Sequence, residues 1–164
     1  MQKLPKGKSD FRELIVNGYV YVDKTNYIEM LENSNDSYVH FLRPRRFGKS
    51  LFTSMLGCYY DIALKDEFDE LFKDTYIHEH PTKEKNSYYI LSFNFAGFTG
   101  KQGKELEQEF NEKVQEGIKN CIEKYQFPVN VRENASAARA LSRFISEMQY
   151  KVKDGYFYVI IDEL

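Results

Sequence analysis

The residues best equipped for chemistry stand in two clusters far apart in the chain. The first is Arg43-Pro44-Arg45-Arg46-Phe47-Gly48-Lys49-Ser50-Leu51. It follows the phosphate-loop pattern G-x-x-x-x-G-K-[ST] at Gly48, Lys49 and Ser50, with Arg43 where the first glycine is expected. Gly48 lets the backbone come close to a phosphate. Successive N–H groups and the start of a helix dipole then face the anion. Lys49 would carry a point charge to the β- and γ-phosphates of a nucleotide such as ATP, and Ser50 would offer its hydroxyl to Mg²⁺. Pro44 makes the loop stiff. The competing reading is an arginine-rich surface turn ahead of a helix.

The second cluster is Asp162-Glu163, at the end of the apolar run Gly155 to Ile161. A strand that delivers an Asp at its carboxyl end supplies what Mg²⁺ needs beside a phosphate loop. Glu163 could then polarise an attacking water as general base. Taken alone, the pair is better explained as two solvated acids leaving a core strand. After a Phe-Gly-Lys-Ser loop in the same chain, the metal-and-base reading gains. An adjacent Asp and Glu also favours the NTPase class whose catalytic Glu sits next to the Mg²⁺ Asp.

These residues need elements to position them. Ser37 to Leu42 reads as a buried strand leading into the loop, and Ser50 to Ile62 as the helix leaving it, apolar at Leu51, Met55, Leu56 and Tyr59. Before them, Ser9 or Asp10 is expected to cap a short helix, Phe11 to Val16, stopped by Asn17-Gly18. Tyr19 to Val22 reads as a strand. Thr25 or Asn26 would cap a helix to about Glu32 with Tyr27, Ile28 and Leu31 inward. After the loop helix come an amphipathic piece, Ala63 to Phe72, and a polar loop, Lys73 to Ser87, with His78 and His80 read as exposed and inert. Tyr88 to Phe95 is a predicted strand. Gly103 to Tyr125 is a charged amphipathic helix with Leu106, Phe110, Val114, Ile118, Cys121 and Ile122 inward. Asn134 to Val152 is a second helix, with Ala138, Leu141, Phe144, Ile145 and Met148 inward. Helices separating buried strands imply a parallel sheet.

Composition narrows the class. A length of 164 residues suits one domain, and 16% aromatic residues support a large core. The net charge of −2 argues against a generic nucleic-acid binder, and a phosphate ligand accounts for the local knot of Arg43, Arg45, Arg46 and Lys49. Cys58 and Cys121 fall in helical patterns without metal-ligand spacing and read as reduced core thiols of a cytoplasmic protein. No signal peptide or membrane-spanning run is visible.

Four strings together resemble a known family: Leu-Pro-x-Gly-x-x-Asp-Phe from Leu4, Tyr-Val-Tyr-Val-Asp-Lys-Thr from Tyr19, Arg-Pro-Arg-Arg-Phe-Gly-Lys-Ser-Leu from Arg43, and Ile-Ile-Asp-Glu from Ile160. They are similar to the predicted AAA-ATPase-like family of bacterial proteins, over Leu4 to Glu163. Members of that family start the loop with Arg, which answers the missing glycine. The resemblance implies an α/β fold, a P-loop NTPase three-layer sandwich of the Asp-Glu class with a parallel sheet. Residues 1–36 would form an N-terminal extension bearing Asp23-Lys24-Thr25, and residues 37–164 the core from phosphate loop to Walker B strand. It implies ATP binding and Mg²⁺-dependent hydrolysis, with nucleotide contacts from Arg43 to Leu51, metal ligation by Ser50 and Asp162, and catalysis by Lys49 and Glu163. A nucleotide switch without turnover, and a nuclease-associated scaffold meeting nucleic-acid phosphates, are the alternatives. The family often continues into a nuclease-like domain, whose motif these residues lack, so the chain resembles an N-terminal fragment. In that class the loop strand and the Asp-Glu strand are not direct neighbours, so 37–42 and 157–161 are expected not to form a native ladder. The fragment alone is expected to be inactive.

Overall fold

The computed structural model describes residues 3–34, 36–42, 44, 47–97, 103–129, 135–152 and 155–162. They fall into two compact units, Met1–Ser87 and Tyr88–Leu164.

The first unit is helical. Helix α1, Phe11–Val16, begins where the Asp10 carboxylate accepts a hydrogen bond from the Glu13 N–H at 2.6 Å. Helix α2 is Asn26–Asn33, and α3 is Lys49–Tyr60. A 3₁₀ segment, Ile62–Glu67, and the short α4, Phe68–Leu71, replace the single amphipathic helix expected over 63–72. Asp61 starts that segment by accepting from the Ala63 N–H at 2.9 Å. Helix α1 packs on α3. The core between them is aromatic: Phe11, Tyr59 and Phe72 are almost wholly buried, with ring centroids 5.1 Å (Phe11–Phe72) and 5.6 Å (Tyr59–Phe72) apart. Tyr21 closes on Phe11 edge-on at 5.0 Å, and burial pushes its phenol up to about 12, so it packs as a neutral ring.

Further expectations fail in this unit. Residues 37–42 form no strand, and Tyr38 and Leu42 are each 90% exposed. Tyr19–Val22 is likewise no strand; Tyr19 makes only an isolated bridge to Lys3. A β-rich string becomes a strand only against a partner edge, and among the described residues neither run has a ladder. The supposed polar loop after Lys73 contains helix α5, Tyr76–Glu79. Its histidines are engaged: His78 stacks on Phe68 at 5.8 Å and reaches Asp69 at 3.3 Å, and His80 stacks on Tyr76 at 4.5 Å.

The second unit is an α/β layer. Strands β1, Tyr88–Asn94, and β2, Tyr156–Asp162, run parallel with Tyr88 opposite Tyr156 and Asn94 opposite Asp162. Helices α6, Lys104–Tyr125, and α7, Ala137–Lys151, connect them and pack on each other. Their shared core joins Leu91 and Phe93 of β1 to Val114, Ile118 and Cys121 of α6 and to Phe144 and Met148 of α7. The inward stripe of α7 is Ala137, Ala140, Phe144 and Met148; Ala138 and Ile145 face outward, against expectation. On α6, Phe110 is also more exposed than its spacing suggested, at the end beyond the core, where it stacks on Phe95 at 5.5 Å. The ladder partner of β2 is β1. Cys58 and Cys121 are buried and are not joined in a disulfide. No helix among the described residues is long and apolar enough to cross a membrane.

The α6–β1 contact is close enough to specify glycine. A Cβ on Gly117 would sit 2.5 Å from the Phe93 ring and 2.7 Å from the Ser92 carbonyl oxygen. The backbone oxygen cannot swing aside. Gly117→Ala is expected to lower the unfolding free energy by about 1–3 kcal/mol, the usual cost of overpacking. Urea denaturation followed by far-UV circular dichroism measures it.

Candidate functional site

The loop is built by two local devices. The Phe47 N–H donates to the Pro44 carbonyl at 3.3 Å. Gly48 then takes a left-handed conformation, φ 74° and ψ 28°, and α3 starts at the next residue. The first helical bond runs from the Phe52 N–H to the Gly48 carbonyl at 3.0 Å. Gly48, as the N-cap, has no side chain with which to cap this helix. The N–H groups of Lys49, Ser50 and Leu51 therefore have no partner in the helix's own ladder. A Cβ on Gly48 would meet nothing within 4 Å, so backbone conformation rather than crowding calls for glycine there. Pro44, Phe47 and Gly48 are exposed, and Lys49, Ser50 and Leu51 half-buried. Among the residues assigned to this site, Arg43, Arg45 and Arg46 lie outside the described residues.

Behind the loop lies an aromatic group that the motif did not reveal. Phe52, in the first turn of α3, stacks on Phe41 with centroids 4.6 Å apart and planes 15° apart. Tyr27, from α2, meets the same ring edge-on at 6.2 Å. Tyr27 was expected to point inward but is 38% exposed. The sequence signal that could have found this group is that Tyr27, Phe41 and Phe52 each lie within two residues of one of two distinctive strings, Tyr19 to Thr25 and Arg43 to Leu51.

The structure gives Asp23-Lys24-Thr25 a physical role. One Asp23 carboxylate oxygen accepts from the Thr25 N–H at 2.8 Å, and the other accepts from the Tyr76 N–H at 2.8 Å. The buried Thr25 hydroxyl oxygen accepts from the Ile77 N–H at 3.1 Å. These are the first two N–H groups of α5, which its own N-cap residue, Thr75, leaves uncapped. The motif is thus a cap supplied across space, and it fixes the start of α2 against the start of α5. The Tyr76 hydroxyl adds a bond to Glu29 at 2.6 Å.

In the second unit Asp162 is the last residue of β2. Its carbonyl accepts from the Phe95 N–H at 3.0 Å, which holds the strand end in the ladder. Its carboxylate is on a half-buried residue. Glu163 lies outside the described residues. The same unit has a cleft of about 340 Å³ between β1 and α6, lined by Ser92, Asn94, Lys113, Asn120 and Lys124 among others. None of its lining residues belongs to the motifs. Among the described residues no group of three or more His, Cys, Asp or Glu is placed to hold a metal.

The family model for a predicted AAA-ATPase matches residues 5–164. The chain belongs to this family. No curated protein and no solved structure matches it.

Two substitutions test the local construction. Thr25→Val leaves the Ile77 N–H without its acceptor and is expected to cost about 1–3 kcal/mol of stability, the penalty for stranding a buried donor. Gly48→Ala forces a side chain into the left-handed region and is expected to cost about 1–2 kcal/mol. Chemical denaturation of each variant beside the parent reads both.

Proposed function

We propose that this chain carries the nucleotide-binding part of a P-loop ATPase that binds and hydrolyses ATP with Mg²⁺. The observation that carries the reading is Gly48. A left-handed glycine with open space around it delivers the chain directly into a helix whose N-cap has no side chain and whose first two residues are Lys49 and Ser50. N–H groups outside the helix's own ladder and the positive end of a twelve-residue helix favour an anion. Family membership supports the same reading.

In this reading the Lys49 ammonium binds the β- and γ-phosphate oxygens, and the loop from Arg43 to Leu51 wraps them. Ser50 and Asp162 offer a hydroxyl and a carboxylate, the hard oxygen donors that suit Mg²⁺. The bound ion would neutralise charge on the phosphate oxygens. Glu163 follows Asp162 directly and takes the proton of the attacking water. The water oxygen bonds to the γ-phosphorus as the bond to the bridging oxygen breaks, and ADP and phosphate leave. The fold implied is the three-layer P-loop sandwich, of which the parallel β1–β2 pair with its helices supplies one part.

Lys49→Ala is expected to remove most ATP affinity, because charge-assisted phosphate contacts are among the strong ones. Calorimetric titration of the full-length protein with ATP and Mg²⁺ tests it, and undiminished binding would sink the loop assignment. Glu163→Gln is expected to keep binding and slow phosphate release by about 10²–10⁴-fold, the range for a positioned base. Turnover at the parent rate would leave Glu163 a structural role and favour the switch.

A further inference from the structure

We propose that the cleft between β1 and α6 binds a small organic anion that carries hydroxyl groups, the chemistry shared by sugar acids and sugar phosphates. The proposal is independent of the phosphate-loop reading, because the cleft lies wholly in the second unit. Its volume, about 340 Å³, falls at the small end of the range for ligand clefts. Three contacts set the direction of α6 along β1. The Tyr125 hydroxyl meets the Ile90 N–H, Gly117 lies against the Ser92 carbonyl, and Phe110 stacks on Phe95. The helix therefore runs antiparallel to the strand. Lys113, between Phe110 and Gly117, stands at the Asn94 end of the cleft. Asn120, between Gly117 and Tyr125, stands farther along, level with Ser92 and Ile90.

The lining comes from one face of each element. On α6, Lys113, Glu116, Asn120 and Lys124 recur at three- and four-residue spacing. On β1, Ser92 and Asn94 alternate with the core residues Leu91 and Phe93. At one end the Asn94 Oδ1 accepts from the Ala96 N–H at 2.7 Å, which fixes the amide and leaves its NH₂ as the end that donates to a ligand. The half-buried Lys113 adds an ammonium there, and the two together suit one carboxylate or phosphate. Farther along, Asn120 and Ser92 each offer a donor and an acceptor, the match for a hydroxyl group. Gly117 makes the floor, where the helix approaches the strand too closely for a Cβ. The one acid of the lining, Glu116, is 3.6 Å from Lys113 with its side chain 61% exposed. An ion pair so exposed is weak, so a ligand's acid group displaces it at small cost.

The test titrates the ¹⁵N-labelled protein with gluconate, ribose 5-phosphate, ribose and inorganic phosphate, and follows the side-chain amide signals of Asn94 and Asn120 by NMR. Gluconate or ribose 5-phosphate is expected to move both signals, and whichever binds more tightly identifies the acid group as carboxylate or phosphate. Ribose and inorganic phosphate, each lacking one half of the ligand, should bind at least tenfold more weakly. Lys113→Ala is expected to weaken the preferred ligand about tenfold, the loss of one charge-assisted contact, and Lys113→Arg to retain most of the affinity. Glu116→Gln removes the competing carboxylate and should tighten binding. Lys49→Ala should leave it unchanged. Unmoved Asn94 and Asn120 signals with both gluconate and ribose 5-phosphate would overturn the proposal. So would undiminished binding in Lys113→Ala, or inorganic phosphate binding as tightly as ribose 5-phosphate when gluconate does not bind.

Discussion

The first unit depends on how Tyr59 is held. Its ring is wholly buried among Tyr60, Phe68 and Phe72, yet its hydroxyl is fully used. It accepts from the Thr82 N–H at 2.9 Å and meets the Thr82 hydroxyl at 2.9 Å. Thr82 in turn donates to Glu32 at 2.8 Å, and the Tyr60 hydroxyl donates to the same carboxylate oxygen at 3.0 Å. Burial raises the Tyr59 pKa, so the hydroxyl keeps its proton and the network its polarity. One residue near the C-terminal end of α3 thus ties that helix to α2 and to the segment after α5. A buried polar network in which every member has a partner specifies one packing rather than many.

The opposite end of α3 has the reverse character. Its N-cap is a left-handed glycine with no side chain, preceded by an exposed phenylalanine. A helix anchored at one end and bare at the other can offer its N–H groups without shifting its axis. Pre-set donors need no reorganisation when an anion arrives, and this is what makes fixed dipoles effective. The Asp23 and Thr25 caps serve the same end from the other side, since they hold the start of α2 rigid near the first turn of α3.

The sequence made some of this visible and hid the rest for physical reasons. Helices α1, α3, α6 and α7 could be read within a few residues, because their apolar stripes and end signals such as Asp10 are local. The loop was legible because Gly48, Lys49 and Ser50 are chemically distinctive. Residues 37–42 misled because Tyr, Val, Phe and Leu advertise a strand without naming its partner. Helix α5 was invisible because Asp23 and Thr25, about fifty positions away, supply its caps. Tyr27 looked like core because periodicity reports which side of a helix a residue is on, not how far its neighbours cover it. On α7 the wrong side was assigned to Ala138 and Ile145, since alanine is compatible with either face. Arg43, Arg45, Arg46 and Glu163 could be assigned only from sequence context.

The ladder between β1 and β2 has a consequence for solvent access. The Phe95 N–H bonds to the Asp162 carbonyl, and a parallel ladder alternates, so the amides of Tyr89, Leu91 and Phe93 also face β2. Those of Ile90, Ser92 and Asn94 face the other way. The Tyr125 hydroxyl accepts from the Ile90 N–H at 2.8 Å, so a side chain serves as partner at one rung of the outer edge. Deuterium uptake along β1 should therefore be slow at the odd positions and at Ile90. Tyr125 thus acts as a stopper on an edge that would otherwise template a neighbour, and it does so with one oxygen atom rather than with charge or proline.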